Sequence, residues 1–205
     1  MRLFRVSTFF ILCSLVLCAG AASAAVQKSA SQPAAKPDDD APKSIAESVS
    51  STLEFTEGNF LGVAEAMPEE KYAYIPTTGN FDGVRSFGEQ VKHVACAQFA
   101  FFNEFEGKTP PEDCEKGGHD PAKTKAELIK YLKDSFDYSN RLVATLTASN
   151  VLDRVEGRYA GPNTKLGISV TAVWHITDHY GQLVEYLRLN GIVPPFTQKY
   201  GLKVR

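Results

Sequence analysis

Two of the four histidines in this 205-residue chain are spaced so that both could bind one metal ion. His175 and His179 are four residues apart in a helical pattern, so their side chains project from one face, about 6 Å apart along the axis. A third ligand must come from another helix, and His93 lies midway along one. Three neutral imidazoles leave at least one coordination position for water, as in catalytic rather than structural metal sites. The three histidines therefore predict a site for one divalent metal ion with an open position.

Zinc is the first expectation for this ion, because imidazole suits zinc and zinc accepts tetrahedral geometry; nickel, copper and iron are the alternatives. Binding requires neutral imidazole, so the metal affinity is expected to fall as the pH drops through the histidine range near 6.5. Ile176 follows His175, so the pair is not the HExxH motif with its built-in general base. The competing interpretation is that each histidine is a hydrogen-bonded core residue. The fourth histidine, His119, is expected to be a loop residue.

Four small or polar side chains near the histidines are candidates for a pocket. Ala97 and Ala100 share a predicted face with the histidine of the second helix, and two small residues there predict a cavity open to substrate. Gln182 and Tyr186 follow His179 by three and seven residues, so they extend the ligand face and are candidates for substrate contacts. The alternative is that Tyr186 belongs to the core and Gln182 packs between helices. No residue is assigned a catalytic role.

Four amphipathic segments of roughly 19–27 residues position these side chains. They span about 44–67, 86–107, 124–146 and 164–190, and no segment has a convincing strand pattern. A serine or threonine paired with a glutamate three residues later marks two of the starts, at Ser86–Glu89 and Thr124–Glu127. Gly191 is expected to cap the last helix, because a left-handed glycine commonly follows a helix end. The pattern predicts an all-α fold, an up-down four-helix bundle.

Two segments before the bundle have a different composition. Residues 1–24 have the pattern of a secretory signal peptide, with two arginines, a short apolar run and a small-x-small site at Ala22-Ser23-Ala24. Residues 25–43 are rich in Ala, Ser, Lys and Pro without apolar periodicity, which predicts a flexible linker. Residues 44–205 are then the bundle domain with a short C-terminal tail. The protein is expected to be exported, periplasmic or secreted, with no membrane contact after cleavage.

The charge balance excludes one class of partner. The chain has 22 Lys and Arg against 24 Asp and Glu, for a net charge of -2. A nucleic-acid-binding surface needs clustered basic residues, and the sequence has no such cluster. The expected partner is a small-molecule substrate, and the chain is expected to be a monomer or a homodimer.

Cys96 and Cys114 are the only cysteines that remain after removal of residues 1–24. An exported protein folds in an oxidising compartment, so an even number of cysteines predicts a disulfide between them. The alternative is a buried free Cys96 on the second helix and an unrelated loop Cys114.

The residues around the histidines resemble one known family. The segments His175-Ile-Thr-Asp-His179-Tyr-Gly-Gln-Leu and Leu187-Arg-Leu-Asn-Gly-Ile-Val-Pro-Pro closely resemble the last helix of the DinB-like family. Phe87-Gly-Glu-Gln-Val-Lys-His93-Val-Ala is similar to its second helix, and the resemblance spans about residues 44–195. It implies an up-down four-helix bundle that binds a divalent metal, commonly zinc or nickel, through His93, His175 and His179. Gly181, in mid-helix, is expected to allow close helix packing beside the site.

The resemblance also implies a choice of activities. Relatives include thiol-dependent S-transferases, a thiol-dependent isomerase and metal-dependent hydrolases, in which the metal lowers the pKa of bound water or holds a thiolate. The expected function is an exported metal-dependent hydrolase or transferase acting on a small molecule. Small thiols are scarce outside the cytoplasm, which argues against the transferase. The alternatives are a non-catalytic metal-binding module and a partner-binding bundle whose histidines are vestigial.

Overall fold

The computed structural model describes residues 41–201, so the predicted signal peptide and nearly all of the predicted linker lie outside the described residues. Within this range none of the helices combines the length and apolar character needed to cross a membrane. Two single 3-10 turns lie at Glu69–Lys71 and Cys114–Lys116. The α-helices are α1 (Ile45–Ala66), α2 (Phe87–Phe105), α3 (Lys125–Val143), α4 (Lys165–Leu189) and α5 (Pro195–Lys199), and an antiparallel pair of two-residue strands consists of β1 (Arg154–Val155) and β2 (Asn163–Thr164).

Side-chain caps determine where the four long helices begin. Both predicted capping boxes are formed, at the starts of α2 and α3. The hydroxyls of Ser44 and Thr164 cap α1 and α4 by accepting hydrogen bonds from the backbone N–H groups of Glu47 and Gly167. Each cap satisfies a donor that has no partner inside its helix. The predicted starts therefore agree with the structure to within one residue, and the ends to within three.

A pair of short strands and a short helix were not expected from the sequence. The chain between α3 and α4 pairs Arg154 with Thr164 and Val155 with Asn163. After α4, Gly191 adopts the expected left-handed conformation with φ 74°. Pro195 then begins α5, because its missing N–H has no partner to lose at a first helical position.

The direction of the helices follows from the contacts between them. Tyr138, late in α3, donates its hydroxyl hydrogen to the carboxylate of Glu106 at the end of α2. Gly88 and Leu128, near the starts of the same two helices, line one cavity. α2 and α3 are therefore parallel.

Lys125, at the start of α3, donates from its ammonium to the carbonyl of Met67 at the end of α1, so α1 is antiparallel to both. Tyr186, late in α4, donates to the carbonyl of Arg85 just before α2, so α4 is antiparallel to α2. The predicted all-α four-helix bundle is confirmed, but its helices run up-down-down-up and not in the alternating up-down order expected from the sequence.

The parallel pair requires a long return path. The connection 106–124 leaves the end of α2 and runs back beside it to the start of α3. Lys92 in α2 donates from its ammonium to the carbonyl of Asp120 in this connection. The return path brings residues more than twenty positions apart into contact near the middle of α2.

The bundle encloses one main apolar core. Burial of large apolar side chains is the dominant stabilising contribution in such a fold. The side chains fully removed from solvent include Phe60, Phe87, Phe102, Leu132, Ile168, Ile176 and Leu183. These side chains come from all four long helices, and the three candidate histidines are on two of them, α2 and α4.

Candidate metal centre

The structure brings together the three histidines proposed as metal ligands. His93 projects from α2, and His175 and His179 project from successive turns of α4. Ligand nitrogens of the three rings all lie within 4.8 Å of one another. The Nε2 atoms of His93 and His175 are 3.1 Å apart. His93 and His179 are buried and His175 is partly buried, so the group is enclosed between the two helices.

Two of the rings are held in position by hydrogen bonds from their other nitrogen. The Nδ1–H of His93 donates to the backbone carbonyl of Cys114 at 2.6 Å. The Nδ1–H of His179 donates to the side-chain carbonyl of Gln90 at 2.9 Å. These bonds place the proton on Nδ1 and leave the Nε2 lone pair directed at the centre of the cluster. Metal-bound histidines are oriented by hydrogen bonds of this kind.

Burial keeps the three imidazoles neutral. Removal from water lowers the pKa of His93 below its ordinary value of 6.5. The same cause, with the charges of the neighbouring histidines, lowers the pKa of His175 to about 3. Burial and the charge of His93 lower the pKa of His179 to about 4. Neutral imidazole is the form that binds metal. Protons should therefore compete with the metal for these nitrogens at a lower pH than the value near 6.5 expected from the sequence.

The donor set fits a divalent metal ion. Two unprotonated nitrogens 3.1 Å apart repel each other, so His93 and His175 need a shared proton or a cation between them. Two imidazole nitrogens bound to one tetrahedral ion are about 3.3 Å apart, from metal–nitrogen bonds of about 2.0–2.1 Å. Within residues 41–201 no cysteine, aspartate or glutamate joins the cluster. Three protein ligands would therefore leave a position for water or substrate, as a catalytic site requires.

The fit is less complete at His175. Its Nδ1 is buried and has no hydrogen-bond partner among the described residues. The ring is instead packed among aromatic side chains, with the ring centroid of Phe101 at 5.4 Å and that of Trp174 at 6.5 Å. His175 is thus positioned by packing, whereas the other two rings are positioned by hydrogen bonds.

Gln182 and Tyr186, the predicted substrate contacts, lie in different environments. Gln182 is exposed and donates its amide to the carboxylate of Asp178. Tyr186 is buried, donates its hydroxyl hydrogen to the carbonyl of Arg85 and packs edge-on against Tyr74. Tyr186 therefore joins α4 to the segment before α2. A contact of either residue with substrate stays a prediction.

Three smaller expectations about the site have clear outcomes. Ala97 is buried on α2, but Ala100 belongs to a separate cluster with Cys96 and Cys114, so the prediction that both alanines open a cavity beside His93 is wrong for Ala100. The prediction for Gly181 is also wrong: an added Cβ would meet nothing within 4 Å, so no helix packs closely there. His119 is an exposed residue of the connection 106–124, outside the cluster.

Cys96 and Cys114 are joined by a disulfide in the structure, with Cα atoms 5.3 Å apart. Cys96 lies one turn beyond His93 in α2, and Cys114 begins a 3-10 turn in the connection 106–124. Both are buried beneath the partly buried Tyr131 and Tyr159. The bond ties the connection to α2 beside the histidines.

Three further groups near the metal ligands were not predicted from the sequence. No sequence pattern predicts that the carbonyl of Cys114 contacts His93, because this contact depends on the path of the connection 106–124 along α2. Gln90 could have been found, since it precedes His93 by three residues and therefore shares its helical face. Arg85 lies near enough for its charge to lower the pKa of His175, and its guanidinium is paired with Glu115, with Nη2 and Oε2 2.8 Å apart.

Two solved bacterial structures have folds similar to this one. A DinB-like protein from Bacillus subtilis has a TM-score of 0.55 and 20% identity, covering 70% of this chain and 92% of its own. A conserved protein from Enterococcus faecalis has a TM-score of 0.54 and 17% identity, covering 71% and 96%. These structures show a shared fold, and no curated protein matches the sequence. The profile of the DinB superfamily matches residues 52–183, more than half of the chain, and the protein therefore belongs to this superfamily.

Proposed function

We propose that this protein is an exported metal-dependent enzyme, a hydrolase or a transferase, that acts on a small molecule. The observation that carries the proposal is the convergence of the nitrogens of His93, His175 and His179, two of them oriented by hydrogen bonds to their Nδ1 atoms. A bound divalent ion, zinc as first choice, would supply a Lewis acid and lower the pKa of a bound water. The chain's own part is to hold three neutral imidazoles in place and to leave one position open.

Export rests on the signal-like pattern of residues 1–24 and is supported by the buried disulfide. Disulfides persist in oxidising compartments and are rare in the cytosol. Small thiols are scarce outside the cytoplasm, so among the two activities a hydrolase fits this location better. If the protein is exported, the mature form should lack residues 1–24. The intact mass of protein purified from the periplasm or the medium checks this prediction.

A metal-binding module without turnover is the second candidate. One observation favours it: among the described residues no carboxylate joins the histidine cluster, so no general base touches the expected metal position. Asp178 and Glu115 are the acidic groups that act on His179 from further away. Proton transfer would then have to pass through such a group or through the bound water itself.

Elemental analysis of the full chain, purified without chelator, tests the metal. We expect close to one equivalent of a divalent ion, and its absence would contradict the proposal. Turnover of model esters, and of thiol-acceptor pairs, then separates enzyme from module. Activity that disappears with chelator and returns with metal supports the enzyme. Stoichiometric metal without turnover of either substrate type supports the binding module.

A further inference from the structure

The disulfide and the hydrogen bond to His93 meet at a single residue, Cys114. Its backbone carbonyl accepts the Nδ1–H of His93 at 2.6 Å, while its Sγ is bonded to Cys96 on the next turn of α2. Both ends of this link therefore start on α2, one from His93 and one from Cys96. The connection 106–124 touches the candidate metal centre through this residue.

The turn that carries Cys114 contains three left-handed residues and packs against the disulfide. Asp113 is the one non-glycine residue with positive φ in residues 41–201, at φ 55°, and Gly117 and Gly118 are left-handed too. Aspartate and glycine adopt left-handed backbone more readily than other residues, so the backbone of the turn does not by itself determine where the turn lies, and its contacts with α2 do. An alanine Cβ at Gly118 would lie 2.6 Å from the Sγ of Cys96, so the turn lies directly against the disulfide.

Other contacts of the turn are weaker or exposed. The backbone N–H of Cys114 reaches the hydroxyl oxygen of Tyr159 at 3.4 Å, a long hydrogen bond. Arg85 donates to the carbonyl of Glu115, but both side chains reach solvent. The disulfide is thus the one covalent and buried attachment of this turn to α2.

We propose that the Cys114 carbonyl is a positioning group for His93 and that the Cys96–Cys114 bond holds it in place, so that metal affinity depends on this disulfide. The inference rests on the proposed metal site and adds a means of regulating it. A dithiol would transfer two electrons and two protons to the Sγ–Sγ bond, leaving two thiols and becoming a cyclic disulfide itself. The released turn would move away from His93, whose ring would lose its fixed tautomer.

The experiment compares the full chain with Cys96→Ala, with Cys96→Ala/Cys114→Ala and with a matched control. The double variant contains neither of these two thiols, so neither can bind the added metal, and it represents the opened turn. Val143→Ala truncates a buried side chain in α3, away from the two histidine helices and the connection, and controls for a general loss of stability. Gly118→Ala keeps both cysteines but displaces the turn, and it serves where the cysteine variants do not fold.

Two quantities are measured for each protein. The first is the dissociation constant for Zn²⁺, from competition with a coloured chelator. The second needs no metal: long-range nitrogen–proton NMR spectra report whether His93 carries its proton on Nδ1. We expect the cysteine variants and Gly118→Ala to lose about 10–100-fold in affinity, the effect typical of losing a hydrogen bond to a ligand. The Nδ1–H signature of His93 should disappear in the same proteins and persist in Val143→Ala.

The outcomes separate this inference from the proposed function. Unchanged affinity and an unchanged Nδ1–H signature in the variants would overturn the positioning role while leaving the metal site intact. A wild-type chain that binds no Zn²⁺ would contradict the proposed function. In that case the NMR signature alone decides the positioning role: its loss in the variants supports it and its retention overturns it.

Discussion

The side chain of Gln90 accepts a hydrogen bond from the Nδ1–H of His179 across the α2–α4 interface, at 2.9 Å. Both residues are buried, so solvent does not compete for this bond. Gln90 therefore selects the tautomer of His179 that leaves Nε2 free for a metal. Gln90 thus orients the ring of His179 by accepting its Nδ1–H, as the Cys114 carbonyl orients the ring of His93.

Replacing Gln90 by leucine should weaken metal binding without removing a ligand. Gln90→Leu leaves the Nδ1–H of His179 without an acceptor and the ring free to change tautomer. We expect a loss of roughly 10–100-fold in Zn²⁺ affinity, measured by chelator competition. An affinity equal to that of the wild type would show that Gln90 is not needed to orient His179.

Gln98 provides the matched control on the same helix. It is fully buried, and its side-chain amide has no hydrogen-bond partner among the described residues. Gln98→Leu should leave metal affinity unchanged and should raise the free energy of unfolding by about 1–3 kcal/mol, because an unsatisfied buried amide is removed. Urea denaturation of the metal-free proteins measures this difference.

Single alanine substitutions at the three histidines should each abolish tight metal binding. Each removes one of three ligands, and we expect a loss of about 100-fold or more for His93→Ala, His175→Ala and His179→Ala. Helicity measured by circular dichroism should be largely retained, because the apolar core of the bundle does not depend on the metal. Full affinity in His93→Ala would leave only the pair on α4 and contradict a site between helices.

Local signals in the sequence predicted the elements and most of the ligands. The caps at Ser86 and Thr124 involve groups three residues apart, so the sequence alone shows them. The spacing of His175 and His179 likewise requires only one helix. His93 was the candidate third ligand because it lies midway along another predicted helix, and the family resemblance supported it, but no local signal shows that α2 and α4 face each other.

The unforeseen features depend on how helices are arranged in space. Helical periodicity shows which residues of a helix lie on the same face, but not which other helix or loop packs against that face. Ala100 therefore packs with the disulfide and not with the histidines, and Gly181 faces open space. The carbonyl of Cys114 reaches His93 only because α2 and α3 are parallel and the connection returns along α2.

Glu104 should anchor the segment between β1 and β2. Its buried carboxylate accepts hydrogen bonds from the backbone N–H groups of Tyr159 and Ala160. Glu104→Gln replaces one acceptor oxygen by a donor, and we expect a loss of about 2 kcal/mol in unfolding free energy, typical of hydrogen bonds to a charged group. Amide hydrogen exchange should become faster in residues 156–161.

The exposed Glu112 supplies the control for this change. Glu112→Gln alters the same charge on the surface of the connection 106–124 and should affect neither measurement by more than about 0.5 kcal/mol. Equal exchange rates in the two variants would show that Glu104 does not hold the segment.

Glu57 should make the stability of the protein depend on pH. The carboxylate is buried between α1 and α3, where it accepts hydrogen bonds from the hydroxyl of Ser139 and the amide of Asn140. Burial raises its pKa from 4.5 to about 7, although the two hydrogen bonds oppose the shift. The folded protein therefore binds this proton more tightly than the unfolded chain.

The sign of the effect follows from this difference. The contribution of Glu57 is fully present below pH 4.5 and is lost as the pH rises towards 7, by an amount on the order of 3 kcal/mol. The glutamine in Glu57→Gln cannot ionise. Asn140 can rotate its amide so that Oδ1, which has no partner among the described residues of the wild type, accepts a hydrogen bond from the new side chain. We expect the variant to be more stable than the wild type at pH 8 and to lose this advantage at pH 4.5.

Urea denaturation at a series of pH values measures the difference between the two proteins, in which the titration of all other groups largely cancels. Glu70→Gln, at an exposed position, is the control and should differ from the wild type by a constant amount across the series. A constant difference for Glu57→Gln as well would mean that this carboxylate ionises in the folded protein as readily as in the unfolded chain. A difference that grows between pH 4.5 and 7 identifies Glu57 as the group responsible, because only its ionisation is removed.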